Sequence, residues 1–169
     1  SGYFVTDFWW ENPSTTLLMS VGETEAPWGD TAEILKNALR ILTTPSVGSH
    51  AGGQEAYKLW AQRLSDDREF SEQMPMPERF DRLMCHNDAL TMTSEGRAYA
   101  GYYLKYVADE FEKSGDSVRA SLAKKAAAHF MKEFEISQKI GALSQGKNDE
   151  TGMLLLFDKS VREKAVVLI

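Results

Sequence analysis

Arg97 and Glu133 are the two charged residues whose positions in this sequence ask for a chemical explanation. Arg97 belongs to a helix-spaced strip formed by Leu83, His86, Leu90, Thr93, Ser94, Arg97, Gly101 and Leu104. That strip runs through residues 80–111, whose large side chains (Phe80, Met84, Met92, Tyr99, Tyr102, Tyr103, Val107 and Phe111 among them) fall on nearly every side of a helical wheel. A helix that is apolar all round is expected to be surrounded by protein. The strip therefore puts polar groups where burial should exclude them. Glu133 lies near the middle of a second apolar arc, made of Val118, Leu122, Ala126, Phe130, Phe134, Ile136 and Ile140, with His129 inside it. Lys124, Lys132, Glu135 and Lys139 take the opposite, solvent side.

If these two helices run antiparallel through a turn near Gly115, Arg97 comes level with residue 132 or 133. An unpaired buried charge is costly, so an Arg97–Glu133 ion pair is the expected solution, with Ser94 and His129 close by. Two readings of that cluster stand open. One is a satisfied polar network that fixes helix register. The other is a small-molecule pocket lined by Arg97, Glu133 and His129, with His86 and His50 as further candidate contacts.

The remaining chemistry-bearing residues point to less. Cys85 and His86 are adjacent, about 100° apart on a helix, and cannot serve each other as nucleophile and base. Cys85 is expected to be a buried, unreactive thiol. His50, His86 and His129 lack any short ligand spacing such as Glu-x-x-His, so neither a metal nor another cofactor is implied. Ser1 would be the nucleophile of a hydrolase that begins its mature chain on a strand, but too few strands are expected to build the sandwich that chemistry occupies. A first residue other than methionine fits a fragment, a processed product or a tag remnant.

The elements that must position these residues are mostly helical. Residues 3–10 and 15–21, rich in aromatic and β-branched side chains, flank the turn cluster Glu11, Asn12, Pro13 and Ser14 and read as a β-hairpin. A lone hairpin is marginal in water, so its aromatic side must pack on helices or its edge must pair with strands outside this chain. Asp30 with Glu33 resembles a capping box, and Ile34, Leu35, Ala38, Leu39, Ile41 and Leu42 then repeat at helical spacing up to Pro45. Residues 46–53 hold three glycines and His50 without a phosphate-loop pattern, and are expected to form a flexible turn. A helix bearing Ala56, Tyr57, Trp60, Ala61 and Leu64 follows, then a charged connector at residues 66–77 and the long helix of Arg97. Asp116 or Ser117 caps the next helix, which runs to about Leu143. A polar loop at 145–149, a short apolar stretch at 153–157 and an amphipathic segment at 161–169 complete the chain.

The fold class expected is mainly α, an antiparallel helical bundle with an N-terminal β-hairpin. Residues 1–23 form the hairpin and residues 24–169 the helical domain. With 169 residues, 43% hydrophobic and 26% charged, the chain has the composition of a soluble globular domain. A net charge of −6 gives no electrostatic reason to approach nucleic acid or anionic lipid. No apolar run is long enough to span a membrane, and the single cysteine excludes a disulfide framework and suits the cytoplasm.

Four blocks carry a resemblance: GYFVTDFWWENPSTTLLMSVGE (2–23), LRILTTPSVGSHAGGQEAYKLWAQRL (39–64), HNDALTMTSEGRAYAGYYL (86–104) and VREKAVVLI (161–169). They resemble the second half of a bacterial family related to butirosin biosynthesis protein H. The resemblance implies that the chain is the helical half of an α+β protein. The other half would be of the papain-like cysteine-peptidase type and would carry the catalytic cysteine and histidine. The best-understood relative transfers an acyl group from a carrier protein to an amine. Cys85 does not match the family's nucleophile, so no catalytic residue is implied in this chain. On this expectation it is an accessory, substrate-covering half whose partner is an N-terminal catalytic half or a second copy. The competing expectation is a small-ligand-binding or dimerising helical domain without catalysis of its own.

Overall fold

The Gly115–Asp116 corner organises the molecule. Gly115 takes a φ of +81°, a left-handed value that side-chain-bearing residues rarely adopt, and the Asp116 carboxylate then accepts from the Arg119 backbone N–H at 2.9 Å. That cap starts one long helix as another ends, and the two lie against each other as an antiparallel pair. A computed structural model describes residues 30–169 of the chain. In order these form α1 (Thr31–Thr43), β1 (Ser46–Val47), β2 (His50–Ala51), α2 (Gly53–Ser65), a 3-10 turn (Asp67–Phe70), α3 (Met76–Lys113), α4 (Ser117–Leu143), α5 (Glu150–Phe157) and α6 (Lys159–Leu168). The protein is mainly α, as its periodicity predicts. The expected hairpin at 3–21 and the division near residue 23 lie outside the described residues.

In the seam between α3 and α4, the α4 side is mostly small residues. On α4 the buried positions are Ala120, Ala123, Ala127, Ser137 and Ile140, and on α3 they are Leu83, His86, Leu90, Ser94, Gly101, Leu104, Val107 and Ala108. A Cβ on Gly101 would lie 2.7 Å from Met131 Sδ, so the space a side chain would take there is filled by Met131 from α4. The buried face of α3 is thus the very strip that carries the polar groups.

Two expectations are corrected by this seam. α3 is not enclosed all round among the described residues, because Met92, Tyr99, Tyr102 and Tyr106 are exposed. Nor does the apolar arc of α4 face inward throughout, since Val118 and Leu122 are exposed while neighbouring alanines are buried. Close approach of two backbones favours small side chains over large ones, and a wheel weighted by bulk points the wrong way.

The main core sits where α2, the 3-10 turn, α5 and α6 close over the far end of the α3–α4 pair: Leu64, Phe70, Leu83, Leu90, Ile140, Met153, Leu156 and Ala165, with Trp60 and Ile136 packed against them. Arg162 staples this end together. Its guanidinium is buried, donates from Nε to the Leu64 carbonyl at 3.0 Å and from Nη1 to the Phe157 carbonyl at 2.7 Å, and reaches Asp67 Oδ1 at 2.6 Å from Nη2. It also lies over the Phe70 ring, 4.4 Å from the centroid.

The glycine-containing segment 46–53, expected to be a flexible turn, is a short antiparallel ladder in which Ser46 pairs with Ala51 and Val47 with His50. Gly53 opens α2 with φ +51°, and a Cβ there would overlap the Leu42 carbonyl oxygen. The ladder and that close approach dock α2 on the end of α1. α1 itself buries no residue, and Ile34, Leu35, Leu39, Ile41 and Leu42 are all exposed.

Candidate functional site

Arg97 and Glu133 meet as the two wheels predict. Arg97 Nε lies 2.5 Å from Glu133 Oε2 across the α3–α4 seam. The pair is less buried than expected: 21% of the Arg97 side chain is exposed, against 52% for Glu133. Glu133 sits just off the seam occupied by Ala127 and Ser137, so its carboxylate reaches back to Arg97 from the outer shoulder of α4. Arg97 Nε is fully enclosed, and this carboxylate oxygen, close but off the line of the N–H, is its partner.

The rest of the Arg97 environment comes from α2 and α4. Its Nη2 donates to the Tyr57 hydroxyl, and the guanidinium lies over the rings of Tyr57 and Phe130 at 5.6 and 5.4 Å from their centroids. Aromatic rings on two sides hold the planar group in place. In front of it is a cavity of about 350 Å³, walled by Leu42, Tyr57, Trp60, Ile136, Ile140 and Leu168, with Gln54, Thr93 and Ser137 as its uncharged polar groups. A largely apolar recess with a few converging polar side chains is the usual form of a small-molecule site.

The three histidines do not converge on it. His129 is exposed on α4, because the buried face passes through Ala127 and turns residue 129 outward. His50 is exposed on β2, with its Nδ1 3.3 Å from Ser49 Oγ. His86 is buried, but one tryptophan away. Trp60 Nε1 donates to His86 Nδ1 at 3.3 Å, and Trp60 lines both the Arg97 cavity and a second recess of about 370 Å³ shared with Glu69, Arg82, Cys85 and His86. Burial pushes the His86 imidazole down to about 4, so it is neutral near pH 7. Cys85, expected to be buried, is exposed on the turn of α3 preceding His86. Among the described residues no group of three or more His, Cys, Asp or Glu side chains is placed to hold a metal ion. Among them, too, no helix is long and apolar enough to cross a membrane.

Tyr57, Trp60 and Phe130 are the site residues that sequence reasoning did not single out. Tyr57 and Trp60 stand three apart on one face of α2, a spacing that also fits plain core packing. A larger recess of about 730 Å³ between α3, α4 and the following loop has a different character. Three of its side-chain amides are engaged: Gln138 Nε2 donates to Ser94 Oγ at 2.6 Å, and Asn87 Nδ2 donates to Asn148 Oδ1 at 2.6 Å.

Comparison of the chain with models of known protein families, with curated proteins and with solved structures finds no match.

Proposed function

We propose that this helical chain binds a small organic molecule in the cavity in front of Arg97. The observation that carries the proposal is the cavity itself, a largely apolar recess of about 350 Å³ whose one basic side chain, Arg97, is held by a half-exposed Glu133 carboxylate. A ligand oxygen can take the place of that carboxylate on the guanidinium. The apolar walls supply the remaining affinity, and the rings of Tyr57 and Phe130 keep the guanidinium aimed before the ligand arrives.

The test is amide and indole NMR of the isotope-labelled protein against a set of small acids, amines and neutral compounds. Binders should shift resonances of Tyr57, Trp60, Thr93, Arg97 and Ile136 together. If no compound perturbs this group, or if binders perturb other regions only, the proposal fails.

A second reading, in which the chain is the accessory, substrate-covering half of an acyltransferase- or peptidase-like protein, is favoured by α1. Among the described residues its row of Ile34, Leu35, Leu39, Ile41 and Leu42 is exposed, an apolar face that fits a covering partner. Intact mass of the native protein tests it: a longer polypeptide whose additional segment holds a cysteine and a histidine is expected, and a native chain of 169 residues would count against it.

A further inference from the structure

We infer that the ligand of the Arg97 cavity is a monocarboxylate with an apolar body, and that its carboxylate replaces that of Glu133 on the guanidinium. The inference rests on the binding proposal above and narrows it to a chemical class. Three features carry it.

The first is the partner that Arg97 already keeps. Its enclosed Nε faces a carboxylate oxygen, Glu133 Oε2, at 2.5 Å. Arginine presents Nε–H and an Nη–H as a fork that a carboxylate can accept with both oxygens, a stronger arrangement than a single neutral hydrogen bond. A ligand ammonium would offer this nitrogen nothing and would be repelled by the guanidinium.

The second is the state of the present occupant. The Glu133 side chain is half exposed, at 52%, and its oxygen is misaligned with the N–H it approaches. Released from Arg97, it returns to solvent with little loss, as exposed ion pairs contribute at most about 1 kcal/mol. While it stays, it neutralises Arg97. An incoming group must bring its own negative charge to take its place without leaving the guanidinium unpaired.

The third is the lining. Beyond Arg97 and Glu133 the walls are mostly apolar, Leu42, Trp60, Ile136, Ile140, Leu168 and Ile169 against three uncharged polar groups, and there is no second basic side chain. A dianion would leave its second charge without a basic partner. About 350 Å³ takes roughly a dozen water-sized groups at about 30 Å³ each. That suits a medium-chain or arylalkyl acid.

Octanoate, octanamide and octylamine share one apolar body and differ in the head group. Titration calorimetry of each into the full chain, as wild type and as Glu133→Gln, tests the inference. Octanoate should bind roughly tenfold or more tightly than octanamide, and octylamine more weakly than either. Glu133→Gln should tighten octanoate several-fold, since the competing carboxylate is gone, and should leave octanamide little changed. Arg97→Met, if it folds with wild-type circular dichroism, should erase the preference for the acid. Equal binding of octanoate and octanamide, a preference for octylamine, or weaker octanoate binding to Glu133→Gln would overturn the carboxylate assignment while leaving the cavity as a binding site. Failure of all three compounds, together with an unperturbed Trp60 indole resonance, would overturn both.

Discussion

Trp60 Nε1 donates to Nδ1 of His86 at 3.3 Å, and this bond settles the protonation of a buried histidine. An indole nitrogen is only a donor, so Nδ1 must carry a lone pair and the ring proton must sit on Nε2. A second proton on His86 would turn Nδ1 into a donor facing a donor. The same tryptophan lines the Arg97 cavity, so this hydrogen bond also fixes one of that cavity's walls.

Stability should therefore fall in mildly acidic solution. Burial lowers the folded-state value of His86 to about 4, whereas the unfolded chain titrates near the ordinary 6.5. Between these values the unfolded state binds a proton that the folded state refuses. The contribution is complete above about pH 6.5 and is lost as pH falls toward 4, by about 3 kcal/mol in all. Urea denaturation from pH 7 to pH 4 should show this slope in the wild type and a flatter line in His86→Gln, whose carbonyl can still accept from Trp60. Asp66 acts in a separate window: the Arg68 side-chain hydrogen bond holds it down to about 2, so its stabilisation fades only below about pH 4.

Arg162 should be the most damaging surface-type residue to remove. Arg162→Met abandons the carbonyls of Leu64 and Phe157 inside the core, and is expected to cost about 3 kcal/mol or more. Asp67→Asn should do much less, because Asp67 is half exposed and only one of the three arginine anchors is weakened. Equal losses for the two variants in denaturant titrations would refute this assignment.

Gly53 and Gly48 offer a paired test of the α1–α2 joint. Both have positive φ, but a Cβ on Gly48 would meet nothing within 4 Å, whereas one on Gly53 would collide with the Leu42 carbonyl. Gly48→Ala should cost about 1 kcal/mol, from backbone strain alone. Gly53→Ala should cost distinctly more and should also weaken ligand binding, since Leu42, Gln54 and Tyr57 border the cavity on either side of that joint. Melting curves of both variants, with binding measured on each, check the difference.

Local signals made much of this molecule legible in its sequence. The turn near Gly115, a helix cap at Asp116 or Ser117 and the polar strip of α3 each follow from neighbouring residues, and the Arg97–Glu133 register follows from two wheels and one turn. What escaped depends on distance and on size. Arg162 and Asp67 are 95 residues apart, and nothing near either announces the other. Large apolar neighbours point to a buried face of α4 that would bring His129 beside Arg97. The alanines mark it instead, and they rotate His129 outward and leave Glu133 half exposed. The bulk of its neighbours on α3 likewise points to a buried Cys85, whereas the thiol is exposed.

On the binding proposal, Arg97 is held for a ligand and only lent to Glu133. The most direct measurement is the stability double-mutant cycle of Arg97→Met, Glu133→Leu and the double variant in urea. Exposure of half the Glu133 side chain predicts a coupling below about 1 kcal/mol. A coupling of about 3 kcal/mol or more, the range of a buried ion pair broken on one side, would contradict the account and make the pair a strut of the fold.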